Sequence, residues 1–195
     1  MTFRSSKLAL LLVWSGVINA DVVINEVHYD AEPKTARIEF IELYNAGGKT
    51  QYLGGWYFSN GIDFTFPANT IIKPGAYLVI AENPSLLRNQ FQIPSDKVFG
   101  PYSGSLSGGE VLTLRNSIGN QVDRVDYSSG FPWPTAASGA GSSMELIHPT
   151  LDNDLGGSWR SAGMQSGPIS PMILLRSDQN GWSYREGTSE PSAPP

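Results

Sequence analysis

The sequence predicts an all-β domain, an antiparallel sandwich built from short strands, carried on an exported chain. Three observations predict it. Runs of β-branched and aromatic residues alternate with clusters of Gly, Pro and Asn. No stretch after Ala20 keeps a helical period. The N-terminus has the charge and hydropathy order of a secretory leader.

Residues 1–20 come first. Arg4 and Lys7 form a positive start, residues 8–18 (LALLLVWSGVI) an apolar run, and Ala20 a small residue before Asp21. This is the pattern of a cleaved signal peptide. A membrane anchor is the alternative, but the run falls short of the roughly 20 apolar residues that cross a bilayer. Cleavage is therefore expected after Ala20, with no membrane insertion thereafter and a secreted, periplasmic or cell-surface location. Loss of Arg4 and Lys7 would take the formal charge from −5 to −7. So acidic a chain is not expected to bind nucleic acid, whose affinity comes mainly from Lys and Arg.

The chain has no cysteine, which removes disulfides, thiolate metal sites and a Cys nucleophile. Stability must come from a buried core, which a domain of this length can build. It also has no N-x-[ST] sequon, since Asn83 precedes Pro84. Together these features fit a bacterial exported protein.

Strands are expected over residues 22–27, 37–44, 52–58, 64–66, 76–80, 110–115, 121–127 and 143–147. The breaks between them hold Asn45-Ala46-Gly47-Gly48, Asn60-Gly61, Lys73-Pro74-Gly75, Ser107-Gly108-Gly109 and Gly119-Asn120. Gly and Asn accept positive φ there and Pro presets φ. One helical turn is expected over residues 84–90, opened by Pro84.

Residues 128–142 (SSGFPWPTAASGAGS) form a long loop with Phe131 before Pro132 and Trp133 between Pro132 and Pro134. Two readings compete. The rings cover one end of the core, as aromatics usually do, or they form an exposed stacking platform for sugar or peptide, with Trp56 as a third ring. Residues 164–172 read as a linker. Residues 173–176 are apolar and residues 181–185 (GWSYR) strand-like. This tail either docks back on the domain or begins a further module, and the second is expected.

Residues 22–45 resemble the opening of the lamin-tail domain of bacterial secreted proteins. The carriers are Ile24-Asn25-Glu26 and Glu39-Phe40-Ile41-Glu42-Leu43-Tyr44-Asn45. The likeness runs on in order through Leu53-Gly54-Gly55-Trp56, Phe64-Thr65-Phe66-Pro67, Lys73-Pro74-Gly75, Gly109-Glu110 and Val122-Asp123-Arg124-Val125-Asp126-Tyr127. It closes at Gly141-Ser142-Ser143-Met144-Glu145-Leu146 and Ser158-Trp159-Arg160-Ser161, covering residues 21–163. The resemblance implies an immunoglobulin-like β-sandwich and no activity. Bacterial members look like accessory modules of larger exported proteins, some with hydrolase parts. The nuclear role of the animal domain is not carried over, because this chain is acidic and has no coiled-coil rod. Residues 182–188 are similar to the start of a jelly-roll-like module that often follows such a domain.

No catalytic constellation is expected. Gly104-Ser105-Leu106-Ser107-Gly108 and Gly139-Ala140-Gly141-Ser142-Ser143 lack the central serine of a nucleophile elbow. His28 and His148 are too few for a multi-histidine metal site, and neither has a Ser or Asp partner by spacing. Strict alternation puts three acids on faces shared with apolar residues. Glu26 goes with Val22 and Ile24, Glu42 with Ile38, Phe40 and Tyr44, and Asp123 with Val125 and Tyr127. Such acids are either a functional pair or cation site, or are satisfied by loop N–H groups or turned outward by a bulge. The structural reading is preferred. Asp152 and Asp154, in Asp152-Asn153-Asp154-Leu155-Gly156-Gly157, are candidate calcium ligands without the full loop pattern or its distal Glu. No cofactor is otherwise expected. The expected function is a non-catalytic binding or scaffolding module of a larger exported protein, with a protein or cell-surface polysaccharide partner. The alternative is a carbohydrate-binding or accessory domain of a secreted hydrolase.

Overall fold

The computed structural model describes residues 21–33, 35 and 37–162. The expected signal segment, residues 1–20, and the expected linker and tail, residues 164–195, lie outside the described residues.

The strands in chain order are β1 (Val22–His28), β2 (Phe40–Asn45), β3 (Gln51–Tyr52), β4 (Tyr57–Phe58), β5 (Ile62–Thr65), β6 (Ile71–Ile72) and β7 (Tyr77–Ala81), then β8 (Val98–Phe99), β9 (Ser103–Gly104), β10 (Gly109–Arg115), β11 (Gln121–Ser128), β12 (Met144–Leu146) and β13 (Trp159–Ser161). Two main sheets result. One has the order β13-β12-β1-β2-β7-β8, the other β11-β10-β4-β5-β9, and β3 and β6 form a small third pair. All pairings are antiparallel except β7 with β8.

The two main sheets close on one another through alternate residues. Ile24, Val27, Ile41, Leu43, Leu78 and Ile80 point inward from the first. Phe58, Ile62, Leu112, Leu114, Val125 and Tyr127 meet them from the second. Burial of this apolar set is the main stabilising contribution, about 1.5–3 kcal/mol per large side chain. The sandwich is the predicted fold class.

Local backbone shifts several predicted edges. The strand expected over 52–58 is split, because Trp56 N–H bonds back to the Leu53 carbonyl and Gly55 turns at φ 77°. The strand expected from residue 37 starts at Phe40, after Arg37 takes a φ of 51°. The short strands β6, β8, β9 and β13 were not expected; with only two or three residues each, they carry no readable alternation.

Helix α1 (Pro84–Phe91) is two turns, longer than the single turn expected. Asn83 caps it by accepting the Leu86 N–H at 3.1 Å, and Pro84 occupies the first turn, where its missing N–H is not needed. The helix lies over the outer face of the first sheet. There Leu87 joins Ala31, Ile38, Val79, Ala81 and Val98 in a second, smaller core. The first sheet is thus apolar on part of both faces.

Candidate functional site

The outer face of the first sheet gathers three carboxylates in one row. In the strand register Glu26 pairs with Glu145 on one side and Glu42 on the other. The row ends in Arg160 opposite Glu145 and in Val79 opposite Glu42. A bulge between Ile24 and Glu26 makes this possible. Strict alternation would have sent Glu26 into the core with Ile24. The extra residue, Asn25, reverses the parity, so Val27 points inward and Glu26 outward. Glu42 does share its face with Ile38, Phe40 and Tyr44 as expected, but that face is the outer one, roofed in part by α1.

Each acid of the row has its own hydrogen bonds. Asn25 Nδ2 donates to Glu42 at 2.9 Å, and Ser143 Oγ donates to Glu26. Arg160 donates to Glu145 at 3.2 Å from Nε and stands 3.1 Å away at Nη2. Burial, then the neighbouring carboxylates, push Glu42 up to about 7, against the one lowering contact from Asn25. Burial also raises Glu26. A cavity of about 220 Å³ lies between these two acids and α1, walled by Phe40, Val79, Leu87 and Phe91. Sequence reading missed Glu145 and the helix as parts of this site. Only the strand register places Glu145 beside Glu26.

Asp123 has a different setting. It keeps the inward parity of Val125 and Tyr127 and lies at the seam between the two sheets. It accepts the Ile24 N–H at 2.6 Å and Asn153 Nδ2 at 2.8 Å. β12 pairs with β1 only at Glu26 and Val27, so Asp123 serves the Ile24 N–H where no strand reaches it. Burial raises Asp123 to about 6, opposed by these donors and by the Arg124 N–H.

The Asp-Asn-Asp loop proposed for calcium is engaged with the same seam. Asp154 accepts Arg124 Nη1 at 2.7 Å and the Asp126 N–H at 2.8 Å. Asp152 accepts the Asp154 N–H at 3.0 Å, an ordinary Asx turn. The Asn153 carbonyl accepts Trp159 Nε1 at 2.9 Å. Asp152 and Asp154 are the candidate calcium ligands of the sequence, and an arginine and main-chain donors engage three of their carboxylate oxygens. Among the described residues no group of three or more His, Cys, Asp and Glu is placed to hold a metal ion. The loop covers the outer edge of β11, a way of protecting an unpaired strand.

The two aromatic rings of the long loop part company. Trp133 is 8% exposed and packs at 6.1 Å against Trp159. Trp133, read from the sequence as a core cover or as a stacking ring, thus sits within the buried core cluster. Trp56 is half-buried against the same core. Phe131 is 92% exposed. The loop beneath it is held firmly. Trp133 N–H bonds to the Gly130 carbonyl at 3.0 Å, Ala137 is fully buried, and Gly156 packs so closely on Pro132 and Trp133 that a Cβ there would come within 2.9 Å.

The histidines do not join these groups. His28 is buried edge-on to Phe40 at 5.3 Å, and burial lowers its pKa. His148 makes a local contact with Thr150 Oγ1 at 2.8 Å.

The search of curated proteins found no match. The Lamin Tail Domain family does match, over residues 18–129, more than half of the chain. Its immunoglobulin-like sandwich agrees with the two facing antiparallel sheets described above. The ordered motifs, the two sheets and the family match lead to one assignment: this chain belongs to the Lamin Tail Domain family.

Proposed function

We propose that the chain is a non-catalytic, extracytoplasmic binding or scaffolding module of a larger exported protein, and that the 128–142 loop is its contact surface. The observation that carries this reading is Phe131, an apolar ring 92% exposed on a loop whose neighbours are anchored in the core. A ring carried on an anchored loop leaves only its own side-chain freedom to be lost on binding, which favours affinity. Leu155, 58% exposed, adjoins the Gly156 that packs on Pro132, so the apolar surface extends beyond one residue. Asp123, Asp152 and Asp154, the acids that suggested chemistry in the seam, support a scaffold reading because their oxygens hold the sheets and the edge loop together.

The partner expected is a protein. Cell-surface polysaccharide is the second reading, favoured by the free faces of the Phe131 ring, on which a sugar can stack. The test places a photo-crosslinking phenylalanine analogue at position 131 of the exported protein. A single protein adduct, abolished by Leu155→Asp, is the expected result. Retardation by cell-wall polysaccharide that disappears in Phe131→Ala would move the assignment to the second reading. Full binding to every partner by Phe131→Ala, with an unchanged melting temperature, would refute both. Export is checked separately, since the mature chain should begin at Asp21.

A further inference from the structure

Glu26 and Glu42 present a problem that the fold does not explain. They stand directly opposite one another on β1 and β2, and Glu145 flanks Glu26 on its other side. Like charges directly opposed across a strand pair are destabilising. Glu145 has Arg160 as its ion-pair partner. Among the described residues Glu26 and Glu42 have no cationic partner; a serine and an asparagine are their side-chain donors. Arg88 of the overlying helix turns away, its Nε bonded to the Pro84 carbonyl at 3.2 Å.

The space above the two acids is shaped for a cation on an apolar stem. Phe40 and Val79 of the sheet and Leu87 and Phe91 of α1 wall it, and half-exposed Phe91 leaves its rim accessible. Its volume of about 220 Å³ is below the roughly 300 Å³ at which small-molecule pockets begin. With no third metal-binding side chain in place among the described residues, the negative charge suits an organic cation better than a metal ion. Lysine and arginine combine an apolar stem with a charged head, a combination suited to a cavity walled by aliphatic and aromatic side chains with carboxylates beside them.

We propose that this cavity receives one lysine or arginine side chain of a partner protein, its stem against Phe40, Val79, Leu87 and Phe91 and its head between Glu26 and Glu42. The cation relieves the opposed carboxylates and accounts for their placement. The site is independent of the Phe131 surface.

The test is an NMR titration of the isotope-labelled full chain with capped Gly-Lys-Gly, Gly-Arg-Gly and Gly-norleucine-Gly peptides. Saturable shifts at Glu26, Glu42 and Leu87 are expected with the lysine or arginine peptide. The norleucine peptide should bind weaker by roughly tenfold or more, the worth of one charge-assisted hydrogen bond. Glu26→Gln with Glu42→Gln should remove that preference. Phe91→Ala, at a half-exposed position that the fold tolerates, should weaken all three peptides. Equal binding of the norleucine peptide would reduce the site to an apolar slot and overturn the proposal. So would shifts confined to other residues, or n-butylammonium binding as tightly as the lysine peptide, which would assign the site to a free amine.

Discussion

Asp123 at the seam and Glu42 on the outer face are both strand carboxylates that burial raises, to about 6 and about 7. Their surroundings differ in kind. Asp123 is met by N–H donors from Ile24, Asn153 and Arg124, and the bond from Ile24 joins one sheet to the other. Glu42 has one amide donor and two neighbouring carboxylates, Glu26 and Glu145, whose charges oppose its own. Burial next to donors makes an acid part of the framework. Burial next to like charges leaves an acid whose ionised form the protein does not stabilise, and such a group is better suited to a partner than to the fold.

The largest effect should follow from removing the seam. Asp123→Ala leaves several N–H donors without an acceptor, and the expected loss is about 3 kcal/mol in urea denaturation at neutral pH. A loss under about 1 kcal/mol would mean that Asp123 is not the bond between the sheets.

The opposite sign is expected on the outer face. Glu42→Gln removes an ionisable group while keeping an acceptor for Asn25, and should stabilise the domain by about 2 kcal/mol at pH 8. The pH dependence separates the two acids. Each has a folded pKa above its ordinary value, so the native state holds a proton that the unfolded chain has already released. The stability from each is complete below the ordinary pKa and is lost as pH rises through the folded one. For Asp123 that window runs from 3.8 to about 6, and for Glu42 from 4.5 to about 7. The wild-type protein should therefore weaken between pH 4 and 8 on the order of a few kcal/mol, and Glu42→Gln should flatten that curve between about pH 6 and 7 and lessen its slope from 4.5 to about 6, where both windows overlap. An unchanged slope between about pH 6 and 7 would deny Glu42 its raised pKa.

The smallest effect belongs to the edge loop. Asp154→Ala should cost roughly 1 kcal/mol, because its pairing with Arg124 is partly solvent-exposed. Excess calcium should leave the melting temperature of the wild-type protein where a chelator puts it. A calcium-dependent rise would show that the cation displaces Arg124.

Much of the fold was legible because its signals are local. Alternation in Ile41 and Leu43, the turn chemistry of Lys73-Pro74-Gly75, and the proline opening α1 act over a few residues, as backbone geometry requires. The same alternation correctly put Asp123 inward with Val125 and Tyr127. It failed at Glu26 because a bulge adds one residue and exchanges the two faces, and no short-range signal announces that insertion. It was ambiguous at Glu42, because a face that carries Ile38 and Phe40 looks like the core face whether a second sheet or a helix covers it.

The sequence by itself determined that this is a β-sandwich of the Lamin Tail Domain kind and where its longer strands run, because pleat, turn and hydrophobic alternation are encoded position by position. Only the tertiary structure decided what the polar and aromatic residues do. Phe131 and Trp133 are two residues apart in the same loop, yet one is in solvent and the other in the core. Glu145 and Glu42 are distant in the chain, yet they flank Glu26 in one row. Such differences depend on strand register and on which surfaces meet, and those are long-range properties that no local pattern contains.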